Sequence, residues 1–117
     1  MKKLYHLSTC DTCQRIIKEL ELPSDFELQD IKTEPMTEKQ VEEMKTFAGS
    51  YEALFSKRAR LYRQQGWHEK QLAETDFKNL ILEHYTFLKR PVILLNGHIF
   101  VGNSKKVVQA AKEAIHS

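Results

Sequence analysis

The 117-residue sequence predicts an α/β domain built on a mixed four-stranded sheet, with a helical insertion between its second and third strands at about residues 34–88. Three observations lead there. A short apolar strand, Lys3 to Leu7, gives way to an amphipathic helix, and Phe26 to Ile31 then alternates as a second strand, giving a strand-helix-strand unit. The middle of the chain reads as helix throughout. Finally, Pro91 to Leu95 is a dense apolar run that Asn96-Gly97 turns onto His98 to Val101, the pattern of a β-hairpin.

The individual elements follow from spacing and punctuation. In the first helix Cys13, Ile16, Ile17 and Leu20 recur at spacings of three, four and seven, an apolar stripe on one face. Pro23, Ser24 and Asp25 break that pattern before the second strand. Thr37 starts the next helix, and Gln40 three residues later makes a capping box. Val41, Met44 and Ala48 line its inner face, Glu38, Glu42 and Glu43 its solvated side, and Gly49 stops it. A short helical stretch covers Tyr51 to Phe55, and a longer one runs from Thr75 to about His84 with Phe77, Leu80 and Ile81 on one face. Trp67, Tyr85 and Phe87 are expected to pack rather than to contact a ligand. Ser104 caps the last helix, whose Val107, Val108, Ala111 and Ile115 point inward. This order is that of a thioredoxin-type domain, glutaredoxin-like in size, spanning residues 1–117 as a single domain.

Composition narrows the function. With 41% hydrophobic residues and no repeat, the chain can bury a real core. A net charge of +2 does not imply direct nucleic-acid binding, and no apolar run approaches a membrane span. Lys2 and Lys3 are followed by too few apolar residues to form a secretory leader, so the expected location is the reducing cytoplasm. In that compartment a C-x-x-C pair is more often catalytic or redox-sensing than a structural staple.

Both cysteines fall in Cys10-Asp11-Thr12-Cys13, where the first strand passes into the first helix. The second sulfur lies one helical turn beyond the first, so the pair can close an intrahelical disulfide. Cys10 meets the unpaired amides of the helix N-terminus, whose partial positive charge favours a thiolate. Cys13 begins the apolar stripe and should be buried. These positions make Cys10 the attacking nucleophile and Cys13 the resolving cysteine. The negative charge of Asp11 opposes ionisation of Cys10, which requires a cation nearby. A zinc site would need two further ligands, and His6, His68, His84, His98 and His116 have no paired spacing. No metal and no tightly bound cofactor are expected.

Four stretches together carry a resemblance over essentially the whole chain. They are Tyr5-His6 with Cys10 four residues after the histidine, Leu54-Phe55-Ser56-Lys57-Arg58, Leu88-Lys89-Arg90-Pro91-Val92, and Val101-Gly102-Asn103-Ser104. In these the sequence resembles the glutaredoxin-like family that contains the single-domain arsenate reductases and the Spx regulators.

The resemblance implies a thiol-dependent reductase in which Cys10 attacks a small oxyanion or thiol substrate, with glutathione, glutaredoxin or thioredoxin as electron donor. It implies that His6 and Arg90 stabilise the thiolate, that Arg58 and Arg90 hold the oxyanion, and that Pro91 is the active-site proline following a cis peptide bond. Read from the residues alone, Lys57 to Arg63 is a solvated helix face or loop, His6 is equally a structural histidine, and Pro91 is an ordinary strand-initiating proline. Two positions depart from the reductases of the family. Gly102 stands where a third arginine is found, and Cys13 where a serine is usual, which points to an internal disulfide. The alternative function implied is an Spx-like redox switch that docks on RNA polymerase, with the Cys10–Cys13 bond altering the docking surface.

Overall fold

In the computed structural model, which describes residues 1–117, β1 (Lys2–His6) leads into α1 (Asp11–Leu20) and β2 (Glu27–Asp30). Helices α2 (Glu38–Ala48), α3 (Arg60–Gln64) and α4 (Glu74–Glu83) follow, with short 3-10 turns at Glu52–Leu54, Trp67–Glu69 and Tyr85–Phe87. The chain closes with β3 (Val92–Leu95), β4 (His98–Val101) and α5 (Lys105–Ile115). Two units result: Met1–Glu34 with Arg90–Ser117, and Pro35–Lys89.

The first unit holds one sheet in the order β2-β1-β3-β4. β1 pairs parallel to β2 and antiparallel to β3, and β3 pairs antiparallel to β4, so the sheet is mixed as the sequence predicts. The parallel pair needs a crossover, and α1 supplies it. Asn96 (φ 46°) and Gly97 (φ 88°) both take the left-handed conformation that a two-residue hairpin turn demands. Leu4, Ile16, Leu20, Ile93, Val108 and Ala111 form a core in which α1 and α5 pack on one face of the sheet. Fully burying each of the larger aliphatic side chains contributes roughly 1.5–3 kcal/mol. The ends of the two helices are also tied by polar contacts. His116 Nε2 donates to the Leu20 carbonyl at 2.7 Å, and Lys112 pairs with Glu21 at 3.6 Å.

The second unit is the helical insertion between β2 and β3. Thr37 and Gln40 close the expected capping box on α2, each accepting at 3.1 Å from the other's amide. Glu38 and Glu42 do not simply face water, since Lys78 of α4 reaches both, at 3.1 and 3.3 Å. The Glu74 carboxylate accepts from the amides of Tyr51 and Glu52 at 2.7 and 3.1 Å. Phe55 is the hub of the aromatic core, 4.9 Å from the Phe77 ring and 5.4 Å from those of Tyr62 and Phe87. An antiparallel bridge from Phe55 to Leu88 joins the middle of this unit to its end. Its flanking hydrogen bonds, Ser56 N to Phe87 O and Lys89 N to Leu54 O, are both 2.8 Å.

Candidate active site

Cys10 is the N-cap of α1, with extended backbone (φ −96°, ψ 109°), and α1 begins at Asp11. Its amide donates to the Leu7 carbonyl at 3.0 Å, closing the turn that brings the chain out of β1, and its carbonyl accepts from Gln14 at 3.1 Å, the first helical bond. Both cysteines are free thiols. Cys10 is half-buried, whereas Cys13, on the apolar stripe, is 1% exposed.

The two sulfurs sit one turn apart in opposite electrostatic settings. Burial alone would push the Cys10 thiol up. The Cys13 amide and thiol, the charge of Arg90 and the Thr12 amide together outweigh that burial and hold Cys10 below its ordinary value. The Cys10 side chain closes no capping hydrogen bond, so these amides act on the charge of the thiolate. Cys13 is pushed up to about 11. Burial is the main cause, a hydrogen bond from the Leu7 main chain opposes it, the Cys10 thiol and charge add to it, and Arg90 opposes it. The cation that the sequence required to offset Asp11 is therefore Arg90, whose charge acts on both sulfurs. Asp11 itself is exposed in the first turn of α1.

Arg90 precedes Pro91 through a cis peptide bond, immediately before β3. The Pro91 carbonyl accepts from Gly102 N at 2.9 Å, linking the segment before β3 to the residue after β4. Gly102 has φ 95°, a conformation that L side chains rarely adopt, although no atom lies within 4 Å of where its Cβ would be. An arginine at this position would be strained by the backbone rather than by crowding.

His6 ends β1 with its ring turned to α1. The Gln14 side-chain nitrogen lies 3.2 Å from His6 Nδ1 and 3.1 Å from the Leu7 carbonyl. Since that carbonyl can only accept, Gln14 presents its NH2 group, and Nδ1 of His6 must accept from it. The His6 proton in this arrangement sits on Nε2. Asp30, paired in register with His6 across β1 and β2, accepts from the Ser8 amide at 3.1 Å and the Lys32 amide at 3.2 Å. The Ser8 hydroxyl is the largest influence holding Asp30 below the usual carboxylate range, and the amides of Ser8 and Lys32 add to it.

Cys10, Cys13, His6, Arg90 and Pro91 all belong to the first unit. Arg58 belongs to the second, where it is exposed in the turn between Phe55 and α3. Sequence reasoning missed Gln14, Asp30 and the Leu7 main chain. Gln14 carries no motif signal, and its partners are set only once β1 and α1 are folded together.

A four-stranded β2-β1-β3-β4 sheet, with a C-x-x-C pair of free thiols at the first helix and an arginine–cis-proline segment before β3, defines a thioredoxin-like protein. The ArsC family model matches residues 5–111, and the chain belongs to the ArsC family. An uncharacterised protein of Haemophilus influenzae is 27% identical over 113 residues, covering 95% of this chain and 98% of its own. Among solved structures, the possible arsenate reductase of Streptococcus mutans is 27% identical, with a TM-score of 0.72 over 90% of this chain and 92% of its own. The arsenate reductase of Vibrio cholerae shares the fold at 15% identity, with a TM-score of 0.77 over 97% and 96% of the two chains. No helix is long and apolar enough to cross a membrane.

Proposed function

We propose that the protein is a cytoplasmic thiol-dependent reductase of a small oxyanion or disulfide substrate, with Cys10 as nucleophile and Cys13 as resolving cysteine. The observation that carries this reading is the opposite setting of two thiols on one helical turn, one held low and one pushed up to about 11. In the first step the Cys10 thiolate bonds to the oxidised centre and a hydroxide or thiolate leaves. Cys13 then attacks the Cys10 sulfur, the bond between Cys10 and the substrate breaks, and the reduced substrate departs with its electron pair. The product is a Cys10–Cys13 disulfide, which glutathione, glutaredoxin or thioredoxin returns to two thiols. Arg90 stabilises the thiolate at the start and the second thiolate at the resolving step.

The test is arsenate-dependent NADPH oxidation coupled in parallel to thioredoxin and to glutathione with glutaredoxin. Turnover that Cys10→Ser abolishes, and that Cys13→Ser abolishes only in the thioredoxin arm, supports the reading. No turnover with either donor refutes arsenate as substrate. Gly102 at φ 95° favours a second reading, the Spx-like redox switch, because arginine at that position is disfavoured. Binding of the RNA polymerase alpha C-terminal domain in one redox state only would support it, and no binding in either state would remove it.

A further inference from the structure

The Leu7–Ser8 peptide is held from three sides, and one of the holding groups has no part in the exchange chemistry described above. Its carbonyl accepts from Cys10 N at 3.0 Å and from Gln14 Nε2 at 3.1 Å, and its N–H donates to Asp30 Oδ1 at 3.1 Å. Two lone pairs and one proton exhaust what a peptide unit can offer. The held peptide therefore reaches the first cysteine directly, because the Leu7 carbonyl fixes the Cys10 amide just before α1 begins. Gln14, the residue after Cys13, returns from the helix to lock that carbonyl, and is itself oriented by His6 at 3.2 Å.

We propose that Gln14 is a positioning residue for the Cys10–Cys13 exchange, holding the Leu7–Ser8 peptide, and through it the Cys10 amide, so that the Cys10 sulfur is aligned to receive attack by Cys13. The inference rests on the reading of Cys10 as nucleophile and Cys13 as resolver. It explains why a half-buried glutamine on the first turn of α1 turns back to the strand rather than outward. The attack of one sulfur on the other is intramolecular, and its rate depends steeply on alignment. The attack of Cys10 on an external disulfide needs no such partner, because Cys10 is accessible from solution.

A nitrothiobenzoate disulfide separates the two steps. The Cys10 thiolate displaces one coloured nitrothiobenzoate and forms a mixed disulfide. Cys13 then loses its proton to solvent, attacks the Cys10 sulfur and displaces the second nitrothiobenzoate, leaving the Cys10–Cys13 disulfide. In Gln14→Met, which keeps length and helix propensity but has no donor, the second release should slow about five- to tenfold, the effect of losing one or two aligning hydrogen bonds. The first release should stay within about twofold of the wild type. Gln14→Lys, a donor of similar reach, should retain the wild-type ratio of second to first release. Gln14→Ala repeats the test without the methionine side chain, and urea midpoints identify which variants are folded. A second release unchanged in folded Gln14→Met or Gln14→Ala overturns the proposal, as does an equal slowing of both releases or a loss in Gln14→Lys as large as in Gln14→Met. If the wild type gives no second release at all, the assignment of Cys13 as resolver fails instead, a result distinct from any of these.

Discussion

Alkaline titration of Cys13 should mark the stability of the reduced protein alone. The thiol is raised from 9.0 to about 11, chiefly by burial, at a residue only 1% exposed, so solvent screening does not weaken the effect. That gap corresponds to a preference of about 3 kcal/mol for the neutral thiol in the folded chain. The sign follows from which state gives up its proton first. Below pH 9 both folded and unfolded chains keep the Cys13 proton, and the full stabilisation is present. As pH rises toward 11 the unfolded chain ionises first, and about 2 kcal/mol of stability is lost by the time the folded thiol is half titrated. The assay is urea unfolding of the reduced wild type, the oxidised wild type and reduced Cys13→Ala, at steps from about pH 8 to about pH 11. With a typical slope of about 1–3 kcal/mol per molar urea, the reduced wild type should lose on the order of 1 M more in midpoint than Cys13→Ala. The oxidised protein, in which neither sulfur can titrate, should likewise lack the loss that belongs to Cys13. Parallel losses in reduced wild type and Cys13→Ala would refute the burial argument and, with it, the idea that Cys13 stays silent until Cys10 has reacted.

Replacing Arg90 by glutamine removes the cation that acts on both sulfurs, so Cys10 should alkylate more slowly near neutral pH and its alkylation profile should move to higher pH. An unmoved profile in Arg90→Gln would show that the helix amides alone sustain the thiolate. Thr37→Ala removes the acceptor for Gln40 N and should cost about 1 kcal/mol, read as a lowered thermal midpoint with unchanged thiol reactivity. Gly102→Arg, the change that would supply the third cation of the arsenate reductases, places an L side chain at φ 95° and should cost roughly 1–2 kcal/mol in urea unfolding. A Gly102→Arg protein as stable as the wild type would mean that the turn after β4 relaxes to accept a side chain.

The features legible in the sequence are those set by local physics. The hairpin was readable because Asn96-Gly97 is suited to two consecutive left-handed residues, and α2 because Thr37 and Gln40 satisfy each other's amides across one turn. The stripe through Cys13, Ile16 and Leu20 correctly implied that the second sulfur is buried. The exposed basic run gave less. Its segment Arg60–Gln64 forms a five-residue helix with no buried side chain, so no apolar period marks it. The bridge between Phe55 and Leu88 was invisible for a different reason, since it pairs segments far apart in the chain. Around the cysteines, pattern gave the candidate residues but not what holds them. Gln14 and His6 are eight residues apart on different elements, and Asp30 comes from the next strand, so their contacts exist only after β1, α1 and β2 have assembled.

The electrostatics of the pair also impose an order on the two sulfurs. While Cys10 is a thiolate, its charge and its hydrogen bond raise Cys13, so Cys13 holds its proton and, in the proposed cycle, the two do not compete for substrate. Once Cys10 is bonded to a substrate, both of those influences vanish. Burial then stands against the Leu7 hydrogen bond and the charge of Arg90, which no longer has a Cys10 thiolate to stabilise. On the proposed roles, the same guanidinium serves the attacking sulfur first and the resolving sulfur second. Such a sequence requires only groups of the first unit, whereas Gly102, which the resemblance sets where the arsenate reductases carry a third arginine, takes a conformation unfavourable to any side chain. The parts needed to cycle a disulfide are therefore more complete in this chain than the parts needed to grip an oxyanion, and substrate screens should begin with disulfides and sulfur-linked adducts alongside arsenate.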